Sequence, residues 1–334
     1  MPGTFLGYPF DEELFLMQWQ AAQDPVKLAM LNSGAVQSNA TIRGLISNGS
    51  NVYTIPFYDV LGGDPDNYDG QTNITTTEPT GSYQQGVVYG RAHGWKDRDF
   101  IHDFNSGADP MKQITSQIAR YWDKKRQGTI LDILGGVFGT TDNTGGYLAK
   151  WKAHTHDVSA EGGGVMTETT VGDAAQKACG DNADIFSLCW MHSKVAQNLA
   201  NLQLLQFRKY TDSMGIERQL KIADYNGKTV IVDDDCPFNA EAGTYTTYVM
   251  GLGALQYADA PVKVPVEVHR EAKEQGGYEE VITRLRETYH PNGFSYVLPS
   301  SCISPTNAQL GAAANWLISV DPKLIPMARI ISKG

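Results

Sequence analysis

The stretch ADPMKQITSQIARYWDKKRQGTILDILGGVFG, residues 108–139, decides the fold because it predicts one helix far longer than any other segment of the chain. Asp109 is a favourable N-cap, and Pro110 falls at the first helical position, where a missing N–H costs nothing. Apolar side chains then recur at multiples of four, the spacing of one helix face. This face comprises Ile114, Ile118, Trp122, Ile130, Leu134 and Phe138, with Arg126 in the one gap and Met111, Ile133 and Val137 alongside. About thirty residues make a rod of roughly 45 Å.

The middle of this helix is basic. Lys124, Lys125 and Arg126 stand together, and Gly128 follows them as a weak helix former. A core helix seldom carries three adjacent cations. We therefore expect part of the helix to lie on a surface.

The composition predicts a globular chain. Its 334 residues suggest two unequal subdomains, and 41% hydrophobic with 19% charged residues is typical of folded proteins. No run of about 18 apolar residues occurs, so we expect no membrane span. The N-terminal segment is acidic and lacks the apolar core of a secretory signal.

The charge and the cysteines exclude further classes. A net charge of −10 argues against non-specific nucleic-acid binding by the free protein, although such a chain can still enclose nucleic acid. The four cysteines show no CxxC spacing, which favours reduced thiols. Cys189 lies in an apolar run and is expected to be buried.

A projecting hairpin is predicted before the long helix. NVYTIPFYDV (51–60) has the composition of a strand, and QQGVVYGRAHGWKDRDFIHDF (84–104) reads as a second strand. Between them, residues 61–83 are polar and crowded with turn residues. Loops of this length are uncommon in compact domains and are usually functional.

The second half of the chain is more regular. Residues 172–210 predict a helix, a buried strand and a helix capped by Ser193; residues 221–238 predict a hairpin turning at Asn226-Gly227. Residues 244–258 read as one further strand. Residues 278–298 alternate charged and apolar side chains, which favours a long, half-exposed strand.

Catalytic signals are weak. His154 and His156 stand two apart, as in a metal pair on a strand, but no third ligand has a recognisable spacing. The acidic run Asp233–Asp235 reads as solvated turn residues rather than a cation site. The GLG at 251–253 lacks the rest of a dinucleotide fingerprint, and neither a nucleophile elbow nor a P-loop occurs. We expect no catalytic, cofactor-binding or metal site.

The order of these features resembles a known architecture. An N-terminal arm, a long hairpin, one spine helix, an α/β lobe and a late returning strand are typical of the Hong Kong 97 fold of tailed-bacteriophage major capsid proteins. Several phrases are also similar to one branch of that family: DPMKQITSQIARYWDKKRQGTILDILGGVFG, CWMHSKVAQNLANLQLL, NGKTVIVDDDCP, TYTTYVMGLGAL, PVEVHRE and HPNGFSYV.

The resemblance implies an α+β fold divided in the family's manner. The implied parts are an N-terminal arm at 1–50, an E-loop at 51–100, a peripheral P-domain at 101–170 and 263–300 with its spine helix at about 109–138, and an axial α/β A-domain at 171–262 and 301–334.

It also implies a function and partners. The chain would be a non-enzymatic shell protein, assembling in the host cytoplasm into hexamers and pentamers of an icosahedral virion capsid around double-stranded DNA, without sequence-specific contact, cofactor or membrane. A portal and a decoration protein are further expected partners. The alternatives are an encapsulin-type compartment and, from another class, a metal-dependent hydrolase using His154, His156 and Asp233–Asp235.

Two departures from the family pattern refine this expectation. Some members cross-link through an E-loop lysine, but no lysine occurs from Phe57 to Trp95. Many members carry a long scaffolding segment, for which the arm here is too short, so we expect a separate scaffolding protein.

The resemblance also suggests residues for contacts. Those expected between subunits are Phe5, Tyr8, Trp19, Tyr68, Arg91 and Trp95. Lys124, Lys125 and Arg126 are expected to form an interior basic spot near DNA or scaffold, or to pair with acidic E-loop residues of a neighbour.

Overall fold

The computed structural model describes residues 3–5, 8–10, 33–58, 63–78, 81–98, 110–160, 163–211, 217–274 and 277–334. The helices in these ranges are α1 (Ala40–Ile46), α2 (Pro110–Gly139), α3 (Leu148–Lys152), α4 (Thr170–Cys179), α5 (Ser193–Asn201) and α6 (Asn307–Leu310). The strands are β1 (Gly3–Phe5), β2 (Tyr8–Phe10), β3 (Val36–Ser38), β4 (Val52–Tyr58), β5 (Gly81–Val87), β6 (Tyr89–Arg98), β7 (Thr155–Asp157), β8 (Phe186–Met191), β9 (Gln206–Thr211), β10 (Glu217–Tyr225), β11 (Lys228–Val232), β12 (Phe238–Asn239), β13 (Thr244–Gly251), β14 (Leu255–Ala260), β15 (Val266–Glu271), β16 (Tyr278–Pro291), β17 (Phe294–Tyr296), β18 (Trp316–Ile318) and β19 (Met327–Lys333).

The long helix α2 forms as predicted and runs for 30 residues. The predicted cap Asp109 and the side chain of Ile114 lie outside the described residues. The later positions of the predicted apolar face, from Ile118 and Trp122 to Leu134 and Phe138, are all buried. Spacing by fours therefore identified the packed face correctly.

A five-stranded sheet is organised around β16. Strand β6 pairs antiparallel along one edge of β16, while β15 and then β14 pair in succession along the other edge. Strand β3 extends the sheet by running parallel to β14. None of the residues of β16 is exposed. The predicted long strand is confirmed, and half-buried residues alternate with buried ones from Glu280 to Arg286. The strand is less exposed than predicted, because Glu287 to Pro291 are buried throughout.

The two faces of this sheet carry different elements. The indole N–H of Trp122 in α2 donates to Thr283 Oγ1 at 3.0 Å, and Ile118 packs beside Val281. On the opposite face, Ile42 of α1 packs in one apolar cluster with Tyr53 of β4. Alternate residues of a strand point to opposite faces, which is how β16 supports both layers.

An eight-stranded sheet forms the second lobe. Its strand order is β7-β19-β13-β8-β11-β10-β9, and β12 pairs with β13. Helices α4 and α5 bury apolar side chains against one face, including Val171, Val195 and Leu199. The other face contributes Trp190 and Tyr248 to a cluster that holds the second half of α2. The long helix therefore joins the two lobes: its first half packs on the five-stranded sheet, and its second half lies in a cluster to which both sheets contribute.

Two stretches read as single strands are in fact divided between sheets. Residues 84–104 split at Val88, since β5 pairs with β4 whereas β6 pairs with β16. Residues 244–258 split at Gly251–Gly253, since β13 lies in the eight-stranded sheet and β14 in the five-stranded one. Local composition is strand-like on both sides of each break, so it does not reveal the change of partner.

Two local predictions in the second lobe have different outcomes. The turn at Asn226-Gly227 is confirmed: both residues have positive φ (48° and 74°), and Tyr225 pairs with Lys228 across it. The predicted cap Ser193 is instead the first residue of α5. His192 is the cap, with its Nδ1 accepting from the N–H of Lys194 at 3.0 Å.

Candidate assembly surfaces

The hairpin of β4 and β5 is anchored at its base by buried polar contacts. Strand β4 pairs antiparallel with β5 from Val52–Val87 to Tyr58–Gly81. At the base, Tyr53 Oη lies 2.9 Å from Thr288 Oγ1. This contact holds the base of the hairpin on β16.

A second contact at the base involves His290. Its Nε2–H donates to Gln84 Oε1 at 3.0 Å, and the N–H of Gly293 donates to the same oxygen at 3.1 Å. His290 is 2% exposed, and burial lowers its pKa to about 4. The imidazole is therefore neutral at physiological pH. A Cβ at Gly86 would lie 2.2 Å from the Tyr53 ring, so only glycine lets that ring cross the hairpin.

Beyond its base the hairpin exposes apolar side chains. The exposed fraction is 83% for Tyr58, 60% for Tyr83, 93% for Tyr68 and 74% for Ile74. Such a concentration on one projecting element is typical of a surface that another molecule covers.

The tip of the hairpin, residues 63–78, is shaped by aspartates that bond to the local backbone. Asp69 Oδ1 accepts from the N–H groups of Gln71 and Thr72 at 2.8 and 2.7 Å, and these bonds lower its pKa to about 2. Asp66 accepts from the Oγ1–H of Thr75 at 2.7 Å. The tip is therefore a folded, acidic turn structure at neutral pH.

A buried ion pair holds α2 on β16. Arg126 Nε donates to Glu287 Oε2 at 2.7 Å, and its Nη1 lies 3.2 Å from Asp123 Oδ1. The exposed fractions of these side chains are 14%, 3% and 6%. Burial opposes the charge, but the adjacent Glu287 outweighs it and raises the pKa of Arg126. The one polar residue in the apolar face of α2 thus has a carboxylate partner.

The three basic residues expected to act together point in different directions. Arg126 faces the protein interior, where Glu287 binds it. Lys124 is 73% exposed and lies 3.7 Å from Asp235 Oδ2 of the same chain. Lys125 is exposed, and its Nζ lies 5.5 Å from the centre of the Tyr121 ring. Arg126 therefore cannot belong to an exposed basic spot, because helix periodicity turns it inward.

The residues expected at contacts between subunits are placed as follows. Tyr68 stands at the hairpin tip. Arg91 bonds to Asn307 Oδ1 of its own chain, through Nη2 at 2.6 Å and Nε at 3.2 Å. Trp95 is half-buried beside α2. The side chains of Phe5 and Tyr8, and the whole of Trp19, lie outside the described residues. Contacts between copies at these positions stay predictions.

The histidine pair serves structure. His154 is buried, its Nδ1 donates to the carbonyl of Met327 at 2.7 Å, and burial lowers its pKa. Lys177 Nζ donates to His156 Nδ1 at 2.9 Å. In the part of the chain that the structure describes, no three His, Cys, Asp or Glu side chains converge as metal ligands.

The acidic run and the cysteines also have local explanations. Asp233 Oδ1 accepts from the N–H of Asp235 at 3.0 Å, as expected of a turn. All four cysteines are free thiols, and Cys189 is fully buried, which raises its pKa to about 12. Within the described ranges, no helix has the length and apolar character needed to cross a membrane.

Sequence reasoning missed the residues that anchor the hairpin and the helix, namely Gln84, His290 and Glu287. A signal existed for one of them, because an arginine in an apolar helix face implies a buried carboxylate. Choosing among 37 acidic residues required the tertiary structure.

The two-lobed arrangement defines the class of protein. The fold is similar to that in the cyanophage Pam1 capsid asymmetric unit, with a TM-score of 0.53 and 14% identity over 86% of each chain. It is equally similar to the capsid of Ralstonia phage GP4, with a TM-score of 0.53 and 10% identity over 90% of this chain and 86% of that one. At such identities the likeness shows the fold alone, which is the Hong Kong 97 capsid fold.

Sequence comparison then supplies the family. Residues 146–323 match the model of the family described as Major capsid protein 13-like, and the chain belongs to that family. It is also 28% identical over 303 residues to the major capsid protein of Bacillus phage SPP1, covering 89% of this chain and 88% of the relative. The predicted capsid function, virion location and absence of a catalytic role are thereby confirmed, and the encapsulin and hydrolase alternatives are set aside.

Proposed function

We propose that copies of this major capsid protein assemble as hexamers and pentamers into an icosahedral shell around double-stranded DNA, each copy laying its hairpin on a neighbour. The observation that carries this proposal is the contrast within the hairpin. Its base is held by buried bonds on β16, whereas its outer half exposes Tyr58, Tyr68, Ile74 and Tyr83. A firmly oriented projection with uncovered aromatic rings suits a contact between copies.

The parts of the shell subunit are proposed on the same basis. We assign the projecting E-loop to the hairpin of β4 and β5, and assign β6 and β14 to the P-domain because they pair with β16. The eight-stranded sheet with α4 and α5 is the A-domain. The arm is confined to the residues before β3, since β3 pairs into the P-domain sheet.

The proposed partners follow from assembly. A closed shell of identical subunits removes exposed interfaces by symmetry. Filling it with DNA requires an entry point, for which a portal is the proposed partner, and a separate scaffolding protein is proposed to set the curvature. A decoration protein is a further proposed partner of the outer surface.

Burial of the exposed hairpin side chains would release enough free energy to drive the association of copies. Covering apolar surface stabilises by about 25 cal/mol per Å², so each exposed aromatic ring contributes about 2 kcal/mol when buried. Three such rings per subunit, repeated around a closed shell, make assembly strongly cooperative.

The test is assembly of a hairpin variant. Tyr58→Ser, Tyr68→Ser and Tyr83→Ser together remove the exposed rings without touching the anchored base. The matched control, Leu202→Ser, Phe238→Ser and Leu324→Ser, removes three exposed apolar side chains from the rest of the molecule, with exposed fractions of 54%, 49% and 51%. We expect uniform polyhedral particles by electron microscopy from the wild type and the control, and unassembled chains from the hairpin variant.

Normal particles from the hairpin variant would contradict the proposed seating of the hairpin. A wild-type chain that stays monomeric at every concentration, with or without a scaffolding protein, would contradict the shell itself.

A further inference from the structure

The exposed side of the first half of α2 carries charge of one sign. Between residues 117 and 128, the exposed charged side chains are Arg120, Lys124 and Lys125. The one acid in that interval, Asp123, is 5% exposed and lies beside Arg126. In a chain of net charge −10, this is a local positive surface.

Aromatic side chains extend this surface sideways onto β6. The Tyr121 ring stacks on His93, with ring centres 5.1 Å apart and planes inclined by 22°. Trp95 meets both rings edge-on, at 5.3 Å from Tyr121 and 4.9 Å from His93. We call the six residues Arg120, Tyr121, Lys124, Lys125, His93 and Trp95 the basic–aromatic face.

The basic–aromatic face lies on the opposite side of the sheet from the hairpin base. Trp95 and His93 pair with Val281 and Thr283 of β16, the residues whose side chains meet α2. Tyr53 of the hairpin contacts Thr288. Thr288 is an odd number of residues from both Val281 and Thr283 along β16, so its side chain points to the opposite face of the sheet. A partner on this face does not compete with the anchoring of the hairpin.

We propose that the basic–aromatic face binds the phosphate backbone of duplex DNA without reading its sequence, an inference that rests on the proposed function as a DNA-enclosing shell protein. Three exposed cations on adjacent helical turns are complementary to a line of phosphates. The indole and imidazole N–H groups of Trp95 and His93 add donors for phosphate oxygens.

The packing of the rings favours duplex over single-stranded DNA. Proteins that hold single strands offer free ring faces on which unpaired bases stack. Here Tyr121, His93 and Trp95 are packed on one another, and Lys125 lies over Tyr121. The rings therefore stiffen the platform, while the cations supply the attraction.

Weak binding per copy suits this role. Interactions between exposed charges are screened beyond about 8 Å at physiological salt. Phosphates are therefore attracted by the three cations only at close contact, where the distant acidic groups of the chain are largely screened. Three phosphate contacts give one copy a low affinity for DNA. Many copies in a shell contact the same DNA molecule, so their contributions combine by multivalency. The enclosed DNA would be held near the wall and would remain free to move.

The test measures duplex binding by the full-length, unassembled chain. The probe is a fluorescent 30-base-pair duplex of arbitrary sequence, titrated at several salt concentrations. In the patch variant, Arg120→Gln, Lys124→Gln and Lys125→Gln remove three charges. The matched control, Lys152→Gln, Lys263→Gln and Lys323→Gln, removes three exposed charges elsewhere, so that both variants have the same net charge.

We expect the patch variant to bind at least about tenfold more weakly than the control at low salt, and the slope of log K against log salt to become shallower by about 3. Asp235→Asn should strengthen binding, because Asp235 lies 3.7 Å from Lys124 and competes with phosphate. A charge-retaining variant with Arg120→Lys, Lys124→Arg and Lys125→Arg should bind like the wild type, showing that fold is not the cause.

The proposal would be overturned if the patch variant and the control lost the same affinity for duplex DNA. It would also be overturned if the slope of log K against log salt were unchanged in the patch variant. Polyglutamate serves as a probe for an acidic protein partner: if its binding requires the three cations while duplex binding does not, the face binds protein and the DNA proposal fails. Particle assembly is scored separately by electron microscopy. A patch variant that assembles normally yet binds DNA like the control leaves the shell function standing while this inference fails.

Discussion

The two halves of α2 pack in different ways. The first half covers one face of the five-stranded sheet and uses polar contacts there, namely Arg126 with Glu287 and Trp122 with Thr283. Its other side is exposed and basic. The second half packs against both lobes, where Ile133, Leu134 and Val137 have no exposure, and it leaves the side of Asp132 and Gly135 exposed. One helix thus presents an exposed basic side in its first half and joins the two lobes with its second half.

The apolar pattern weakens at the middle of the helix because the two halves of α2 have different surroundings. A half that contacts one sheet needs one apolar stripe, and it tolerates cations on the remaining sides. A half that packs against both lobes needs a wider apolar face. The change from DKKRQG to TILDILGGVF follows this change of surroundings.

The largest expected effect on stability is at the ion pair of Arg126 and Glu287, in the first half of α2. Glu287→Ala leaves the buried guanidinium of Arg126 without its nearest carboxylate, and we expect a loss of about 3–5 kcal/mol in the free energy of unfolding. The triple variant Asp123→Asn, Arg126→Met and Glu287→Met should recover most of that loss, because it removes all three buried charges. Denaturant unfolding of the unassembled chain gives the values. A small effect of Glu287→Ala would mean that the first half is held by apolar packing alone.

A second prediction concerns the pH dependence of stability. Like the second half of α2, the anchored end of the hairpin is buried, but it contains a titratable group, the neutral imidazole of His290. The folded-state pKa of His290 is about 4 against 6.5 in the unfolded chain, so the unfolded state binds more protons between these values. Stability is therefore full above pH 6.5 and falls as the pH drops toward 4, by about 3 kcal/mol for this group.

The variant His290→Gln isolates that contribution. It retains a donor toward Gln84 but does not titrate, so its stability should decline less between pH 6.5 and 4 than that of the wild type. Unfolding curves at several pH values provide the measurement. Parallel pH profiles for the two chains would show that other groups dominate acid sensitivity.

A third prediction uses adjacent glycines in the second half. A Cβ at Gly136 would lie 2.7 Å from both the carbonyl of Leu310 and the indole nitrogen of Trp316, whereas one at Gly135 meets nothing within 4 Å. We expect Gly136→Ala to destabilise by about 1–3 kcal/mol through overpacking. Gly135→Ala should stabilise by about 1 kcal/mol through helix propensity. Thermal unfolding of both variants checks the opposite signs, and equal effects would contradict the close packing at Gly136.

The smallest expected effect is at Gly128, in the first half of α2. A Cβ at Gly128 also meets nothing within 4 Å, so Gly128→Ala should stabilise by about 1 kcal/mol, like Gly135→Ala. The measurement is again thermal unfolding. Destabilisation would show that the helix needs a flexible point at its centre.

The outcome of prediction differed between local and distant features. The extent and buried face of α2, the hairpin before it and the turn at Asn226-Gly227 follow from periodicity and turn chemistry, which act over a few residues. The division of residues 84–104 and 244–258 between sheets was missed, because a strand's composition does not name its partner. The role of Arg126 was misassigned for the same reason, since its partner Glu287 is 161 residues away.

The amino-acid sequence is sufficient to predict the long helix, the strand-rich hairpin with its acidic tip, and the reduced cysteines, since helix spacing, turn residues and side-chain chemistry are local properties. The tertiary structure alone decided which sheet each strand joins, which cations remain exposed and how His290 and Gln84 hold the hairpin. The physical reason is that burial and pairing depend on atoms that are distant in sequence, and a charge or a strand acquires its role only from what the folded chain brings beside it.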